Sequence, residues 1–167
     1  MKKDKFLTVF AVLDTNAQER LTEWQNHIFE AGLVGTQTMG IPFHITLGSF
    51  PLDKAKELCD LIEQLSKMVK EFPIEFTEIN DFGNKVLFLQ PTRNEKLMQL
   101  YEKFNSNYAD GLSYYPHTTI FCGAEAEVLK AKEILKQDFY PFTCSITEIH
   151  LGEFFPTKMI LKSKLQA

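Results

Sequence analysis

The chain has 167 residues, 44% of them apolar, fifteen phenylalanines and a net charge of −4. That length suits a single domain with a proper core, and the composition is globular rather than disordered. With two arginines only, Arg20 and Arg93, the composition argues against an extended footprint on duplex nucleic acid, which needs many phosphate-neutralising cations, but it does not exclude a site for one or two phosphates.

Phe6–Leu13 is a near-continuous apolar run of strand length, predicted as a central strand that Asp14 ends. The lysines before it superficially resemble a secretory leader, but the apolar stretch spans eight residues and no Ala-x-Ala site follows. No stretch approaches a membrane span. The cysteines Cys59, Cys122 and Cys144 are odd in number without CxxC spacing. They read as small buried residues of a reducing compartment rather than a disulfide framework or zinc site. The expectation is a cytoplasmic protein.

Thr15-Asn-Ala-Gln18 has the form of a capping box, and Ala17, Leu21, Trp24, Ile28 and Ala31 follow at helical spacing up to Gly32. His27 flanks that stripe and reads as a surface or packing histidine. Val34–Met39 is predicted as a short strand leading through Gly40 and Pro42 into another strand, Phe43–Phe50. A second helix is expected from about Asp53, with Leu58, Leu61, Ile62, Leu65, Met68 and Val69 on one apolar face. Phe72–Ile79 alternates as a strand, and Asp81-Phe-Gly-Asn84 turns the chain into Val86–Leu89.

There the pattern starts again. Val86–Gln90 is an apolar strand like Phe6–Leu13, and Thr92-Arg-Asn-Glu95 is a second capping box. Leu97, Leu100, Tyr101, Phe104 and Tyr108 keep helical spacing up to Gly111. A strand over His117–Cys122, a helix over about Glu125–Gln137 and strands over about Phe139–Leu151 and Phe154–Leu165 complete the chain. Phe76-Thr-Glu-Ile79 in the first half matches Ile146-Thr-Glu-Ile149 in the second. On that alignment His150 falls opposite Asn80, and it reads as a partly buried strand histidine. The predicted fold class is α+β: two similar halves, about 1–80 and 81–167, form one bilobal domain of antiparallel sheets with helices packed outside and a groove between the lobes.

At equivalent points of the two halves stand His44-Ile45-Thr46-Leu47 and His117-Thr118-Thr119-Ile120, each entered through a proline and an aromatic residue. On a strand His44 and Thr46 share one face, as do His117 and Thr119, while Ile45, Leu47 and Ile120 face the core. One His-x-Thr is a weak signal. Its recurrence within a duplicated unit predicts a small site with two acid/base groups and two hydroxyl donors.

Two His-x-Thr-x motifs in a duplicated α+β chain of this length resemble the 2H phosphoesterase superfamily, the 2′-5′ RNA ligase-like proteins. The resemblance covers essentially the whole chain. It implies a bilobal fold around a V-shaped groove and metal-independent chemistry on nucleotide phosphodiesters, most often 2′,3′-cyclic phosphates at RNA ends. It further implies catalytic roles for His44, Thr46, His117 and Thr119, with His44 as general acid and His117 as general base, although the pseudo-symmetry leaves the two interchangeable. An imidazole with a pKa near 6.5 can serve as either, and threonine hydroxyls can donate to the non-bridging phosphate oxygens. Where many relatives carry a basic residue after the motif, this chain has Gly48-Ser49 and Phe121-Cys122, which speaks against a long RNA substrate.

Phe50, Phe82 and Tyr115 are the candidate apolar wall for a base or sugar. The expected partner is a nucleotide or RNA end carrying a cyclic phosphate, acted on by a monomer, with no duplex DNA, membrane, metal or organic cofactor. The alternatives are a relative acting on a small nucleotide such as an ADP-ribose cyclic phosphate, an RNA 2′-5′ ligase-type activity, and a nucleotide- or RNA-binding module that kept the groove and lost turnover. Both histidines and both threonines being present weighs against binding alone.

Overall fold

The apolar run Phe6–Leu13 becomes strand β1, with every residue after Phe6 buried. The computed structural model describes residues 4–105 and 114–167, so Tyr108 and Gly111 lie outside the described residues. After β1 come α1 (Thr15–Glu30), β2 (His44–Phe50), a 3-10 turn (Leu52–Lys54), α2 (Ala55–Met68), β3 (Phe72–Phe82), β4 (Val86–Pro91), α3 (Glu95–Phe104), β5 (Thr118–Cys122), α4 (Glu125–Asp138), β6 (Phe142–Phe154) and β7 (Lys158–Lys164). The fold is α+β, as the alternation of strand and helix periods predicts. No described helix is long and apolar enough to cross a membrane.

Both helix starts miss the expected capping boxes, the first cap lying one residue before its box and the second two residues into it. Asp14, not Thr15, caps α1: one carboxylate oxygen accepts from the Ala17 N–H at 2.9 Å, and the other accepts from the Ser145 N–H at 2.7 Å. A carboxylate accepts two such bonds at once, so Asp14 joins the helix to β6, which a Thr15 hydroxyl cannot do as well. Gln18, released from capping, donates to the Leu13 and Phe43 carbonyls at 3.0 and 2.8 Å and accepts from the Phe43 N–H at 2.8 Å. It therefore fixes the chain immediately before the first motif. At α3 the cap is Asn94, which accepts from Leu97 N–H and donates to the Pro73 carbonyl.

Val34–Met39 is not a strand. Gly35 and Gly40 sit at φ +72° and +85°, conformations that break an extended run. A Cβ at Gly35 would stand 2.6 Å from the Cys122 carbonyl oxygen. That close approach lets the Thr36 N–H donate to Cys122 O at 2.7 Å while Gln37 Oε1 accepts from Cys122 N–H at 3.1 Å. The segment is a loop clamped to the end of β5.

The strands form one antiparallel sheet in the order β2-β1-β6-β3-β4-β5, with β7 on β6. β6 is shared: residues 146–154 pair with β1, and residues 142–146 pair with β3. The spatial lobes are therefore β2-β1-β6 and β5-β4-β3. They differ from the sequence halves 1–80 and 81–167, because each half lends its third strand to the other. The helices cover one face, where Leu21, Ile28, Ile62, Leu100, Val128 and Leu135 join Val9, Ala11, Ile45 and Leu89 in the main core. On the other face Phe10, Val12 and Phe154 form a small cluster with Ile41 and Met159. That face carries the site.

Candidate active site

The two motif strands follow the same register. Phe10 pairs with Thr46 and Phe88 with Thr119, and in both ladders the pairing slips by one residue directly after that pair. Each slip is a β-bulge, a device that re-aims side chains next to functional sites. Up to and including the inserted residues the expected alternation holds: Ile45, Leu47 and Ile120 are fully buried on the helix side, while Thr46 and Thr119 are half-buried and line one cavity together with His44. Thr118 is also fully buried, its hydroxyl without a partner among the described residues.

Downstream the bulge reverses the alternation. Phe50, a candidate for the apolar wall, packs against the main core instead. Ser49 takes the site face, its Oγ 3.3 Å from Thr8 Oγ1. Phe50 is therefore no wall of the groove, because an inserted residue exchanges the faces of everything after it. Phe82 and Tyr115 do gather at the second motif. The Phe82 ring lies 4.9 Å from the His117 ring, edge-on, and 5.4 Å from Tyr115, while Tyr115 donates to Gln90 at 2.8 Å.

The imidazoles are held alike. Nδ1 of His44 lies 2.7 Å from the Pro42 carbonyl, and Nδ1 of His117 lies 2.9 Å from the Tyr115 carbonyl, each two residues upstream. A carbonyl only accepts, so Nδ1 carries the proton in both rings and Nε2 is left to titrate. Each ring rests on a buried phenylalanine, Phe10 at 4.5 Å and Phe88 at 5.0 Å. Burial holds His44 below the ordinary histidine range. The Pro42 carbonyl works against that, and the charges of His117 and His150 push it lower. Burial lowers His117 too, with the Tyr115 carbonyl opposing. With nothing bound, both rings favour the neutral form at neutral pH.

Several residues of the site carried no motif. Tyr114, stacked on Tyr101 at 3.9 Å, donates its hydroxyl to the Thr46 carbonyl and so ties the approach of the second motif to the first strand. Gln25 donates to the Ile120 carbonyl at 2.8 Å from the helix side. A glutamine on the apolar stripe of Leu21, Trp24 and Ile28 was the available signal. His150, buried, pairs across the sheet with Phe10, and Asn80 pairs with Phe88. The register thus equates His150 with Asn80, as the Thr-Glu-Ile alignment does. His150 Nε2 lies 3.3 Å from Glu148, and its Nδ1 is buried without a partner among the described residues.

A central antiparallel sheet with two pseudo-equivalent His-x-Thr strands defines a two-histidine phosphoesterase fold. The model of the 2'-5' RNA ligase superfamily matches residues 11–154, and the chain belongs to that family. Among solved structures it is similar to E. coli LigT complexed with NADP+, at 17% identity and TM-score 0.67, covering 99% of this chain and 100% of that one. It is similar as well to E. coli LigT complexed with 3'-AMP, at 19% identity and TM-score 0.66 with the same coverage. The protein TT0787 of Thermus thermophilus resembles it at 14% identity and TM-score 0.66, over 97% of this chain and 98% of that one. These likenesses establish the fold. Comparison with curated proteins gives no match.

Proposed function

We propose that the chain is a metal-independent phosphodiesterase that hydrolyses a 2′,3′-cyclic phosphate or a related cyclic nucleotide phosphodiester by two-histidine general acid–base catalysis. The observation that carries this reading is the matched tethering of His44 and His117. Each Nδ1 is engaged by a carbonyl two residues upstream, and each leaves Nε2 as the nitrogen that can take or give a proton. His117 accepts a proton from the attacking water, and His44 donates one to the departing sugar oxygen. Thr46 and Thr119 donate to the non-bridging oxygens, where charge accumulates. Burial keeps the imidazoles neutral in the empty protein, and the anionic phosphate favours protonation of the one that acts as acid. E. coli LigT is described in complexes with ATP, 3'-AMP and NADP+, which supports a nucleotide as the ligand class.

The test is turnover in EDTA over nucleoside 2′,3′-cyclic phosphates, RNA oligomers ending in a cyclic phosphate and ADP-ribose cyclic phosphate. Undiminished hydrolysis of at least one substrate is expected. Tight binding of all without turnover would make the chain a binding module. Activity lost to EDTA and restored by zinc or manganese would overturn the mechanism.

A further inference from the structure

Each motif strand carries a one-residue bulge, and the inserted residue is the one directly after the motif threonine. In the first ladder Val9 pairs with Gly48 and Phe10 with Thr46, which leaves Leu47 opposite no residue. In the second, Leu87 pairs with Phe121 and Phe88 with Thr119, which leaves Ile120 unopposed. An inserted residue drops out of the ladder, so its backbone groups need partners elsewhere. Leu47 and Ile120 are both fully buried, so water does not supply them.

The partners come crosswise. Asn105, the residue that ends α3, donates its Nδ2 to the Leu47 carbonyl at 2.7 Å. Gln25 of α1 donates its Nε2 to the Ile120 carbonyl at 2.8 Å. A helix of the second half thus holds the bulge of the first, and a helix of the first half holds the bulge of the second. The two amides occupy matching places in the duplicated unit. Gln25 follows the cap Asp14, and Asn105 the cap Asn94, by the same eleven residues (14 to 25 and 94 to 105). β2 and β5 end the strand order, so the carboxamides stand where another strand's N–H groups would otherwise bond. Each amide is committed. Gln25 is 7% exposed among Leu21, Trp24 and Ile28, where a carboxamide is costly to bury unless it is bonded. Asn105 Nδ2 also donates to the Tyr101 carbonyl at 2.9 Å, which fixes its direction. Gly48 makes room for it, since a Cβ there would stand 3.0 Å from Asn105 Oδ1. One residue earlier the Tyr114 hydroxyl takes the Thr46 carbonyl, again from the second half.

We propose that Gln25 and Asn105 are a reciprocal pair of positioning residues, which lock the two motif strands at a fixed separation across the groove. Each acts through the backbone carbonyl that follows a motif threonine. The bulge interrupts the ladder at the motif, and a donor anchored in the opposite half restores a fixed point there. The functional part rests on the phosphodiesterase reading, in which Thr46 and Thr119 reach one phosphate from opposite lobes. In such a site a displacement of about 1 Å is enough to cost about a hundredfold in rate.

The test removes one donor at a time. Gln25→Met keeps the length of the side chain, and Asn105→Ala acts at a half-buried helix end whose φ of −123° suits alanine. Each variant should lower kcat by about ten- to a hundredfold with KM little changed, the mark of lost positioning rather than lost binding. The second readout, NMR of the imidazoles in the empty protein, needs no turnover. Gln25→Met should disturb the ring resonances of His117 more than those of His44, and Asn105→Ala should do the reverse. Folded variants that lose stability but keep wild-type kcat and ring resonances would make the amides mere partners of buried carbonyls, and overturn the proposal. Variants that disturb only the histidine of their own half overturn it as well. A wild-type protein that turns over no cyclic phosphate defeats the phosphodiesterase reading instead, and the crossed pattern of ring shifts still decides whether the amides hold the motif strands. If Gln25→Met does not fold, Asn105→Ala, at the less buried position, decides alone.

Discussion

Around His44 and around His117 the protein uses one backbone plan with two different settings. The bulge after the motif, the upstream carbonyl on Nδ1 and the buried phenylalanine beneath the ring occur in both. The setting differs: His44 borders a large uncharged cavity and feels the charge of His150, whereas Phe82 and Phe88 crowd His117 and Asn80 occupies the place of His150. Under the proposed mechanism, what is alike would serve proton transfer, which needs two similar groups. What differs breaks the symmetry and can orient a substrate that is not itself symmetric.

The largest expected effect comes from the shared part. General acid–base help is worth about 10²–10⁴-fold per group, so His44→Ala and His117→Ala should each slow turnover of an ordinary cyclic phosphate by about that much. Because both serve one transition state, the double variant should be little slower than the worse single one. His27, paired with Asp138 at 2.7 Å, is the control, and its replacement by alanine should leave turnover unchanged. Folded single variants with near-wild-type rates would remove the two-histidine mechanism.

The threonines come next. A hydroxyl donating to a charged oxygen is worth about 1.5–3 kcal/mol, so Thr46→Ala and Thr119→Ala should slow turnover by roughly ten- to a hundredfold. The comparison predicts near-equal losses, because Thr46 and Thr119 hold equivalent register positions opposite Phe10 and Phe88. Losses differing by more than about tenfold would show that the equivalence stops at the backbone.

The register also explains what could be read in advance. Alternation through each motif was legible, since Ile45, Leu47 and Ile120 are buried as a period of two requires. Phe50 was lost because no residue pattern announces a one-residue bulge, and the bulge turns it to the core. The exchange of β3 and β6 between lobes was hidden for another reason: each half carries an equivalent third strand, so either assignment satisfies the sequence. Val34–Met39 has strand-forming composition, but two glycines at positive φ decide its path. The cavity depends on that path and on Gln18, Gln25 and Gln37, whose long-range partners leave no local trace.

A smaller effect concerns acid stability. Burial lowers His44, His117 and His150 below the ordinary value, so the unfolded chain takes up these protons first as pH falls. Their contribution to stability is therefore fully present above about pH 6.5, the unfolded value, and declines as pH falls toward the folded values. His27 runs the other way: its bond to Asp138 raises it, so what it adds is present at low pH and lost as pH rises. With three groups against one, the denaturation midpoint should drop between about pH 7 and pH 5.5. A midpoint that rises on acidification would contradict the burial of the three rings.

The subtlest difference between the halves is His150 against Asn80, and His150→Asn tests it by giving both halves the same residue. Across the sheet His150 faces Phe10, on which His44 rests. Its charge is one of the influences that lower His44, and Asn80 exerts none of that kind on His117. Removing it should move His44 upward, toward the ordinary histidine value. Turnover should follow a bell-shaped pH profile, with the limbs reporting the two-imidazole pair rather than either ring alone. If His44 is the acid, the high-pH limb reflects its deprotonation, and in His150→Asn that limb should shift to higher pH while the low-pH limb stays near its place. If His44 is the base, the low-pH limb moves instead, again upward. Asparagine is smaller than histidine and leaves space beside Phe10, so some loss of stability is expected, and it lowers the rate at all pH values alike. The position of the limbs, unlike the height of the curve, therefore isolates the electrostatic role. A profile displaced in neither limb would mean that Glu148, 3.3 Å from His150 Nε2, neutralises its charge before it reaches His44.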